Sequence, residues 1–259
     1  MTLADALGVT GAEVVALVGG GGKSTAMFRL AREMVDKGGQ VITTTTTKIF
    51  GAQIVLSPAH VFVEDVTRER VAAELGAHGQ VLVIGATDAG TGKAEGVSAE
   101  LFRRLRAWFP GVCILNEADG SRMRPFKAPA GHEPVIPDET TLVVVVVGAD
   151  VLGKPLDADH VHRPELVAAL CSAPIGARIT PAMVARVLAH PEGGRKGVPA
   201  GARVVALINK VDGLADRTAA RRPRSVFCAT RGFSRWCWLR CGRRSLCWRS
   251  SGESSSKYG

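Results

Sequence analysis

Several features that would place this protein in a membrane or outside the cell are missing from its sequence. No apolar run reaches the roughly 18–20 residues that a membrane-spanning helix requires. The first ten residues carry Asp5 and no basic side chain, which is not the charge pattern of a secretory signal. Residues 1–216 contain only Cys113 and Cys171, too few for a disulfide framework. We therefore expect a cytoplasmic protein that does not contact a membrane.

Over most of the chain, basic residues are no more frequent than acidic ones. The net charge of the 259 residues is +9, but residues 217–259 hold ten arginines and Lys257 against one acid, Glu253. Residues 1–216 are therefore almost neutral, with a net charge of −1. Apolar residues make up 46% and charged residues 22% of the sequence, as in an ordinary globular domain. We expect residues 1–216 to form one domain with a sizeable core.

Short apolar runs alternate with helical patterns along residues 1–216. The runs that predict strands are residues 13–18, 40–45, 81–84, 112–115, 141–147 and 203–208. The patterns that predict helices are residues 24–36, 94–108, 163–170 and 181–188. This alternation is typical of an α/β fold with a doubly wound, mainly parallel sheet and helices on both faces.

A glycine loop joins the first predicted strand to the first predicted helix. It consists of Gly19, Gly20, Gly21, Gly22, Lys23, Ser24 and Thr25. Glycine amides can converge on an anion, and the start of a helix adds partial positive charge, so this context predicts a phosphate loop and a P-loop NTPase-like fold. We assign a catalytic role to Lys23, which can reach the β- and γ-phosphates, and a Mg²⁺ ligand to Ser24.

The loop departs from the standard spacing in two ways. Leu17 stands where the standard pattern has its first glycine, so the match is closer to the variant loop of metallochaperone and partitioning ATPases. Those ATPases carry an extra lysine at the position of Val18, which this chain lacks. The alternative interpretation is a glycine-rich turn with an incidental lysine.

Two acidic residues follow the strand predicted at 112–115. They are Glu117 and Asp119, and Gly120 comes next. An acid at the end of a strand beside a phosphate loop commonly holds Mg²⁺ through water. The sequence therefore predicts a Mg²⁺ site formed by Ser24, Glu117 and Asp119, and we also assign Asp119 a catalytic role. Simple capping of a loop by Asp119 is the alternative.

The last predicted strand ends in a motif that resembles the guanine-specificity motif of GTPases. Its residues are Asn209, Lys210 and Asp212, with Val211 between the last two. An aspartate can accept two hydrogen bonds from guanine, whereas adenine offers no such pair of donors on that edge. The motif therefore predicts GTP as the bound nucleotide, and ATP stays open because a polar strand end is the alternative.

Two further groups of polar residues are candidates for contacts with substrate or phosphate. Thr46, Thr47 and Lys48 end the second predicted strand and are candidates for contact with the γ-phosphate. The segment 119–140 has no periodicity and several prolines, which is typical of a functional loop, and its cations Arg122, Arg124 and Lys127 suggest an anionic ligand. A solvated basic loop is the alternative. A second polar cluster consists of His160, His162, Arg163 and Glu165, where His162 is a candidate helix cap rather than a zinc ligand.

Residues 217–259 differ from the body in composition. They are rich in Arg, Cys, Trp and Ser and show neither helical nor strand periodicity. We interpret them as an irregular basic tail that is not native and comes from a shifted reading frame. The alternatives are an arm that binds nucleic acid and a zinc site at Cys237, Cys241 and Cys247, but we expect no nucleic-acid partner.

The body resembles one known family over roughly residues 10–215. The resemblance rests on seven strings, which read in order LVGGGGKST, VITTTTTKI, NEADGSRMRPFKAPAGHEPVIP, VHRPE, ITP, HPEGGRKG and LINKVD. These are similar to the selenium cofactor biosynthesis family, YqeC-like P-loop proteins also described as accessory proteins of selenium-dependent molybdenum hydroxylases. The resemblance implies a cytoplasmic, nucleotide-binding maturation factor whose partners are a molybdenum hydroxylase or its maturation proteins.

We expect a nucleoside triphosphatase that uses Mg²⁺ and GTP or ATP. Two other interpretations remain open from the sequence. One is a small-molecule kinase of the same fold, whose acceptor binds the basic loop after Asp119. The other is a nucleotide-gated chaperone without significant turnover.

Overall fold

The computed structural model describes residues 2–211 and, beyond them, the backbone of two strands. The strands are β1 (Val14–Gly19), β2 (Val41–Thr45), β3 (Ile49–Phe50), β4 (His60–Phe62), β5 (Gln80–Ile84), β6 (Thr87–Asp88), β7 (Lys93–Ala94), β8 (Cys113–Glu117), β9 (Phe126–Lys127), β10 (Leu142–Gly148), β11 (Val161–His162), β12 (Arg203–Asn209), β13 (Arg235–Trp238) and β14 (Cys247–Ser250). The α-helices are α1 (Leu3–Leu7), α2 (Lys23–Val35), α3 (Arg68–His78), α4 (Ala99–Trp108), α5 (Pro164–Cys171) and α6 (Pro181–Ala189). Short 3-10 helices lie at Gly51–Leu56, Val63–Asp65 and Ala149–Val151. Within the described residues, no helix is both long and apolar enough to cross a membrane.

Seven parallel strands form the central sheet. Their order is β12-β10-β1-β8-β2-β5-β4, and two small sheets, β3-β7-β6 and β9-β11, complete the described body. The predicted α/β fold with a mainly parallel, P-loop NTPase-like sheet is confirmed. Because β1 lies between β8 and β10, the loops that follow these three strands start side by side at one edge of the sheet. That edge is where open α/β sheets bind ligands.

The core explains why the central strands are continuously apolar. In β10, Val144 and Val146 pack with α1 and α2 on one face of the sheet. Val145 and Val147 pack with α5 and α6 on the other face. A third cluster joins α3 and α4 to β2 and β5. A strand with both faces covered needs apolar residues at every position, which a run of valines provides.

Several short elements are absent from the sequence-based prediction, among them β4 and α3, and one helix starts later than predicted. The pattern predicts neither β4, which has three residues, nor α3, in which only Val71 and Leu75 are buried, because so narrow an apolar face gives no clear helical period. The helix predicted over 94–108 begins at Ala99, where the Ser98 hydroxyl accepts a hydrogen bond from the Leu101 N–H at 3.1 Å. That hydroxyl caps the helix, and the residues before it belong to β7 and a loop.

The tail differs from the prediction at two places. We predict no regular structure after residue 216, yet β13 pairs in parallel with β12 and β14 pairs antiparallel with β13. Without β13, one edge of β12 would present unpaired N–H and C=O groups, and Trp is a residue that favours strands, so these short segments can extend the sheet. The boundary at residue 216 and the rest of the tail lie outside the described residues. The origin of the tail in a shifted reading frame stays a prediction.

The glycine loop after β1 is packed tightly between neighbouring backbone segments. The N–H of Gly20 donates to the carbonyl of Val146 at 2.9 Å, and the N–H of Gly21 donates to the carbonyl of Arg124 at 3.1 Å. A Cβ atom at Gly20 would lie only 2.6 Å from the Arg124 carbonyl oxygen. Glycine is therefore required here because any side chain would collide with the loop that follows β8.

We expect Gly20→Ala to destabilise the fold and Gly11→Ala to leave it nearly unchanged. Neither glycine has a φ value in the left-handed region, and a Cβ at Gly11 would meet nothing within 4 Å. The comparison therefore isolates the close contact. The free energy of unfolding should fall by about 1–3 kcal/mol for Gly20→Ala and change by less than about 0.5 kcal/mol for Gly11→Ala. Urea denaturation followed by circular dichroism measures both, and equal values would contradict the packing account.

Candidate functional site

A cleft of about 500 Å³ opens where the glycine loop meets the loops after β2 and β8. Residues 21–25, 47–50 and 120–123 line it. Single side chains from other segments complete the lining, namely Gln53, Lys93, Glu117, Glu133, His162, Arg163 and Lys210. Basic side chains outnumber acidic ones in this lining, so the cleft is suited to an anionic ligand.

Lys23, at the start of α2, is almost wholly buried among acidic and carbonyl oxygens. Its Nζ atom lies 2.8 Å from the carbonyl oxygen of Gly19, 3.3 Å from Asp119 Oδ1 and 3.5 Å from Glu117 Oε1. Burial alone would lower the pKa of Lys23, but the charges of Asp119 and Glu117 outweigh it and hold the pKa above its usual value. Lys23 is therefore a fixed cation in a region with little water.

The amides of the glycine loop divide into two groups. The N–H of Gly19 donates to both carboxylate oxygens of Asp119, at 3.1 and 3.0 Å, and those of Gly20 and Gly21 donate to backbone carbonyls. Among the residues that the structure describes, the N–H groups of residues 22–25 have no acceptor. The sequence predicts that the amides of all four glycines converge on an anion, but the structure provides this arrangement only from Gly22 onwards, where α2 begins.

Ser24 and Glu117 bring two oxygen atoms together in the cleft. The Ser24 hydroxyl donates to Glu117 Oε2 at 2.6 Å and accepts a hydrogen bond from Gln53 Nε2 at 3.0 Å. The pairing of β1 with β8, in which Leu17 is opposite Glu117, produces this contact. No three His, Cys, Asp or Glu side chains converge anywhere in the described residues. A hydroxyl and one carboxylate nevertheless fit Mg²⁺, which usually takes one or two protein ligands together with phosphates and water.

Asp119 lies behind Lys23 and is not in the lining of the cleft. Its carboxylate is 2% exposed and binds the Gly19 N–H, Lys23 and, at 3.0 Å, Lys127 Nζ. Both carboxylate oxygens of Asp119 are therefore bound by protein donors. The sequence treats Glu117 and Asp119 alike, whereas the structure turns Glu117 towards the cleft and uses Asp119 to hold Lys23 and the glycine loop.

A chain of buried charges continues from Asp119 into the loop 119–140. Lys127, 1% exposed, donates to Glu133 Oε2 at 2.6 Å, and the same oxygen accepts a hydrogen bond from Arg163 Nη1 at 2.7 Å. Burial alone would raise the pKa of Glu133, but the hydrogen bonds from Arg163 and Lys127 prevail and lower it to about 2. Glu133 is therefore ionised at any physiological pH and links the two cations.

The motif after β12 also contacts the glycine loop. Asn209 Nδ2 donates to the carbonyl of Gly21 at 2.9 Å, and Asn209 Oδ1 accepts the N–H of Lys210 at 2.8 Å. Lys210 lines the cleft and contacts Asp150 at 3.0 Å through its Nζ atom. Asp212 lies outside the described residues, so its assignment to guanine stays a prediction.

The remaining predicted contact residues divide between lining and support. Thr47, Lys48 and Arg122 line the cleft, whereas Arg124 and Lys127 do not. The Thr46 hydroxyl donates to the Val135 carbonyl at 2.6 Å and so ties β2 to the loop 119–140. The sequence does not predict that Gln53 and Lys93 line the cleft. They lie on a short 3-10 helix and a two-residue strand, and neither element gives a periodic pattern.

Comparisons with known proteins agree with the resemblance seen in the motifs. Residues 15–165 match the family model described as YqeC protein, and they include Lys23, Glu117 and Arg163. The chain is also 32% identical over 200 residues to a protein of Escherichia coli (strain K12) named "Uncharacterized protein YqeC". That alignment covers 76% of this chain and 75% of the Escherichia coli protein. The family model matches more than half of the chain, and the relative is aligned over three quarters of its own length. The chain therefore belongs to the YqeC family.

Proposed function

We propose that the cleft binds a nucleoside triphosphate together with Mg²⁺. The observation that carries this proposal is the buried cation Lys23 beside the four free amides of residues 22–25. Amides at a helix start and a lysine next to them are the donors that bind β- and γ-phosphates in phosphate loops. The cleft volume of about 500 Å³ lies within the range of small-molecule sites.

Mg²⁺ is needed because the protein charges around Lys23 do not favour a triphosphate by themselves. Lys23 is in contact with two carboxylates, and Lys127 is the second cation at Asp119, so this group of four has no net positive charge. A polyphosphate that approached it alone would be repelled by Glu117. Glu117 and Ser24 are placed to hold Mg²⁺, and bound Mg²⁺ would neutralise phosphate charge and polarise the phosphoryl oxygens. Lys23 would stabilise the negative charge that develops during phosphoryl transfer.

For the base, we propose guanine. Asn209 and Lys210 are attached to the glycine loop and to the cleft, so the residues that follow β12 lie near any nucleotide bound by that loop. Asp212 would accept the two guanine donors. ATP is the alternative if Asp212 does not contact the base.

For the cellular role, we propose an accessory function in selenium cofactor biosynthesis or in the maturation of a selenium-dependent molybdenum hydroxylase. The support is the resemblance of the seven sequence strings, five of which contribute residues to the cleft. A triphosphatase or a chaperone gated by nucleotide would both serve this role. The position of Arg122 in the same cleft as Lys23 favours a second candidate activity, phosphoryl transfer to a small anionic acceptor.

Lys23→Ala is expected to lower the affinity for GTP and Mg²⁺ at least about tenfold, since a buried charged hydrogen-bond donor is lost. The substitution also leaves Glu117 without its cation and Asp119 with Lys127 alone, which lowers stability by itself. The double variant Lys23→Ala with Asp119→Asn restores the charge balance and separates the two effects. Lys37→Ala, beyond the end of the same helix, is the control. Calorimetric titration at unchanged circular dichroism measures the effect, and undiminished affinity would rule out the phosphate-loop assignment.

Glu117→Gln is expected to remove most of the dependence of GTP binding on Mg²⁺. The amide is neutral and binds Mg²⁺ poorly, but it also no longer repels the phosphates. Affinity without Mg²⁺ should therefore be equal to or higher than that of the parent, while the gain on adding Mg²⁺ should shrink at least about tenfold. Glu69→Gln, on the exposed start of α3, is the matched control. A variant that keeps the full response to Mg²⁺ would contradict the role of Glu117.

Asp212→Asn is expected to shift the nucleotide preference from GTP towards xanthosine triphosphate by at least about tenfold. The amide can donate a hydrogen bond to the additional carbonyl of xanthine, where a carboxylate would be repelled. Competition titrations with GTP, ATP and xanthosine triphosphate measure the preference. Equal affinities of the parent for ATP and GTP would remove the guanine assignment and leave ATP as the nucleotide.

A further inference from the structure

Backbone strain is concentrated around the cleft. Five non-glycine residues in the described part of the chain have positive φ, and four of them line the cleft, namely Arg122, Met123, Arg163 and Lys210. The fifth, Ser172, ends α5. Non-glycine residues in this conformation cost energy and persist where the surrounding structure holds them, often at ligand sites. Two of the four are arginines that the phosphate-loop proposal does not use.

Arg163 is held firmly and yet keeps free donors. Its Nη1 atom binds Glu133, which Lys127 binds as well, and the pairing of β9 with β11 sets Lys127 beside His162. The guanidinium group has five N–H donors, and the bond to Glu133 is the only one recorded for it within residues 2–211. The remaining donors are therefore available to a ligand in the cleft that Arg163 lines.

Arg122 is another available cation of the cleft. It is exposed, and no carboxylate of the described residues lies within ion-pair distance of it. Lys48 and Lys210, which line the same cleft, are paired with Glu95 and Asp150. Arg122 and Arg163 thus differ from these lysines, because each keeps guanidinium N–H donors that are not bound to a carboxylate of the described residues. Two such guanidinium groups form the usual recognition element for a carboxylate or a phosphate.

His162 lies between these charges and is neutral when the cleft is empty. Burial and the neighbouring cations Arg163, Lys127 and Arg122 lower the pKa of His162 to about 4, against the opposing effect of Glu133. No hydrogen bond to its ring is recorded among the described residues. An oxyanion bound by the arginines would offset their charge and raise the proton affinity of the imidazole.

We propose that Arg122, His162 and Arg163 form a second subsite of the cleft, which binds the carboxylate or phosphate group of a small co-substrate and takes up a proton from solvent at His162. This subsite deepens, and rests on, the proposal that the same cleft binds a nucleotide. The charge chain from Lys23 through Asp119, Lys127 and Glu133 to Arg163 holds the two subsites in one rigid frame. Such a frame is what transfer between two bound molecules requires.

The binding test uses sulfate as a probe for a phosphate group and acetate as a probe for a carboxylate. Each is titrated calorimetrically into the full chain at about pH 7, with Mg²⁺ and a non-hydrolysable GTP analogue present so that the probe cannot occupy the phosphate loop. We expect Arg122→Ala and Arg163→Lys each to lower the affinity for the preferred probe about tenfold. Lysine is chosen at position 163 because it preserves the charge next to Glu133. Arg124→Ala, a cation on the same loop that does not line the cleft, should bind like the parent. The probe that binds more tightly identifies the class of co-substrate.

The outcomes separate the two proposals. If the analogue does not bind, the nucleotide proposal fails. The subsite would still be supported in that case if Arg122→Ala abolished binding of the probe and Lys23→Ala left it intact. If the analogue binds but neither probe does, or if both arginine variants bind probe like the parent, the subsite is wrong.

A second measurement tests the proton uptake. Sulfate does not titrate between about pH 5 and pH 7, so the probe itself adds no pH dependence, and the difference between the parent and His162→Gln isolates the part that comes from His162. Binding that raises the pKa of His162 must strengthen as the pH falls towards that pKa, and His162→Gln should remove this dependence while keeping the affinity at about pH 7. A dependence that survives in His162→Gln would exclude His162 as the proton acceptor.

Discussion

The contact of Lys23 with Asp119 and Glu117 organises everything at the carboxyl edge of the sheet. A lysine buried to this degree is tolerated only because two carboxylates and a carbonyl oxygen surround it, at 3.3, 3.5 and 2.8 Å. Those carboxylates can reach it only because β8 lies directly beside β1 in the sheet. The strand order, the position of the glycine loop and the direction in which Glu117 faces are therefore consequences of one ionic cluster and one pairing of strands.

The glycine loop is rigid because it is packed, not because glycine itself is stiff. The N–H groups of Gly19, Gly20 and Gly21 are hydrogen-bonded within the protein. The side chain of Asn209, which follows the strand on the other side of β10, donates a hydrogen bond to the carbonyl of Gly21. This arrangement leaves the amides at the start of α2 as the free donors. A loop fixed in this way presents its anion site without rearrangement, so little conformational entropy is lost when a ligand binds.

The sequence was sufficient to predict the parts of the structure that depend on neighbours along the chain. The parallel sheet followed from continuous apolar runs, and Lys23, Ser24 and Glu117 followed from their positions just after strands. The different roles of Glu117 and Asp119 could not be predicted, because only one residue separates them in the sequence. The direction in which each side chain faces depends on its contacts with distant segments of the chain. Lys93 and Gln53 were beyond prediction as site residues because a two-residue strand and a 3-10 helix carry them to the cleft.

The loop 119–140 shows how a segment without helix or long strand can be as firmly placed as the sheet. Its four prolines restrict the backbone, and the short strand β9 pairs with β11. Lys127 then binds Asp119 and Glu133 at 3.0 and 2.6 Å inside the protein, where each charge has a neighbour of opposite sign. Removing Lys127 would take one ionic partner from both Asp119 and Glu133 inside the protein, which is more costly than losing a surface pair. The position of Arg163 relative to Lys23 is therefore set by consecutive ion pairs, so the two cations that face the cleft from different loops belong to one framework.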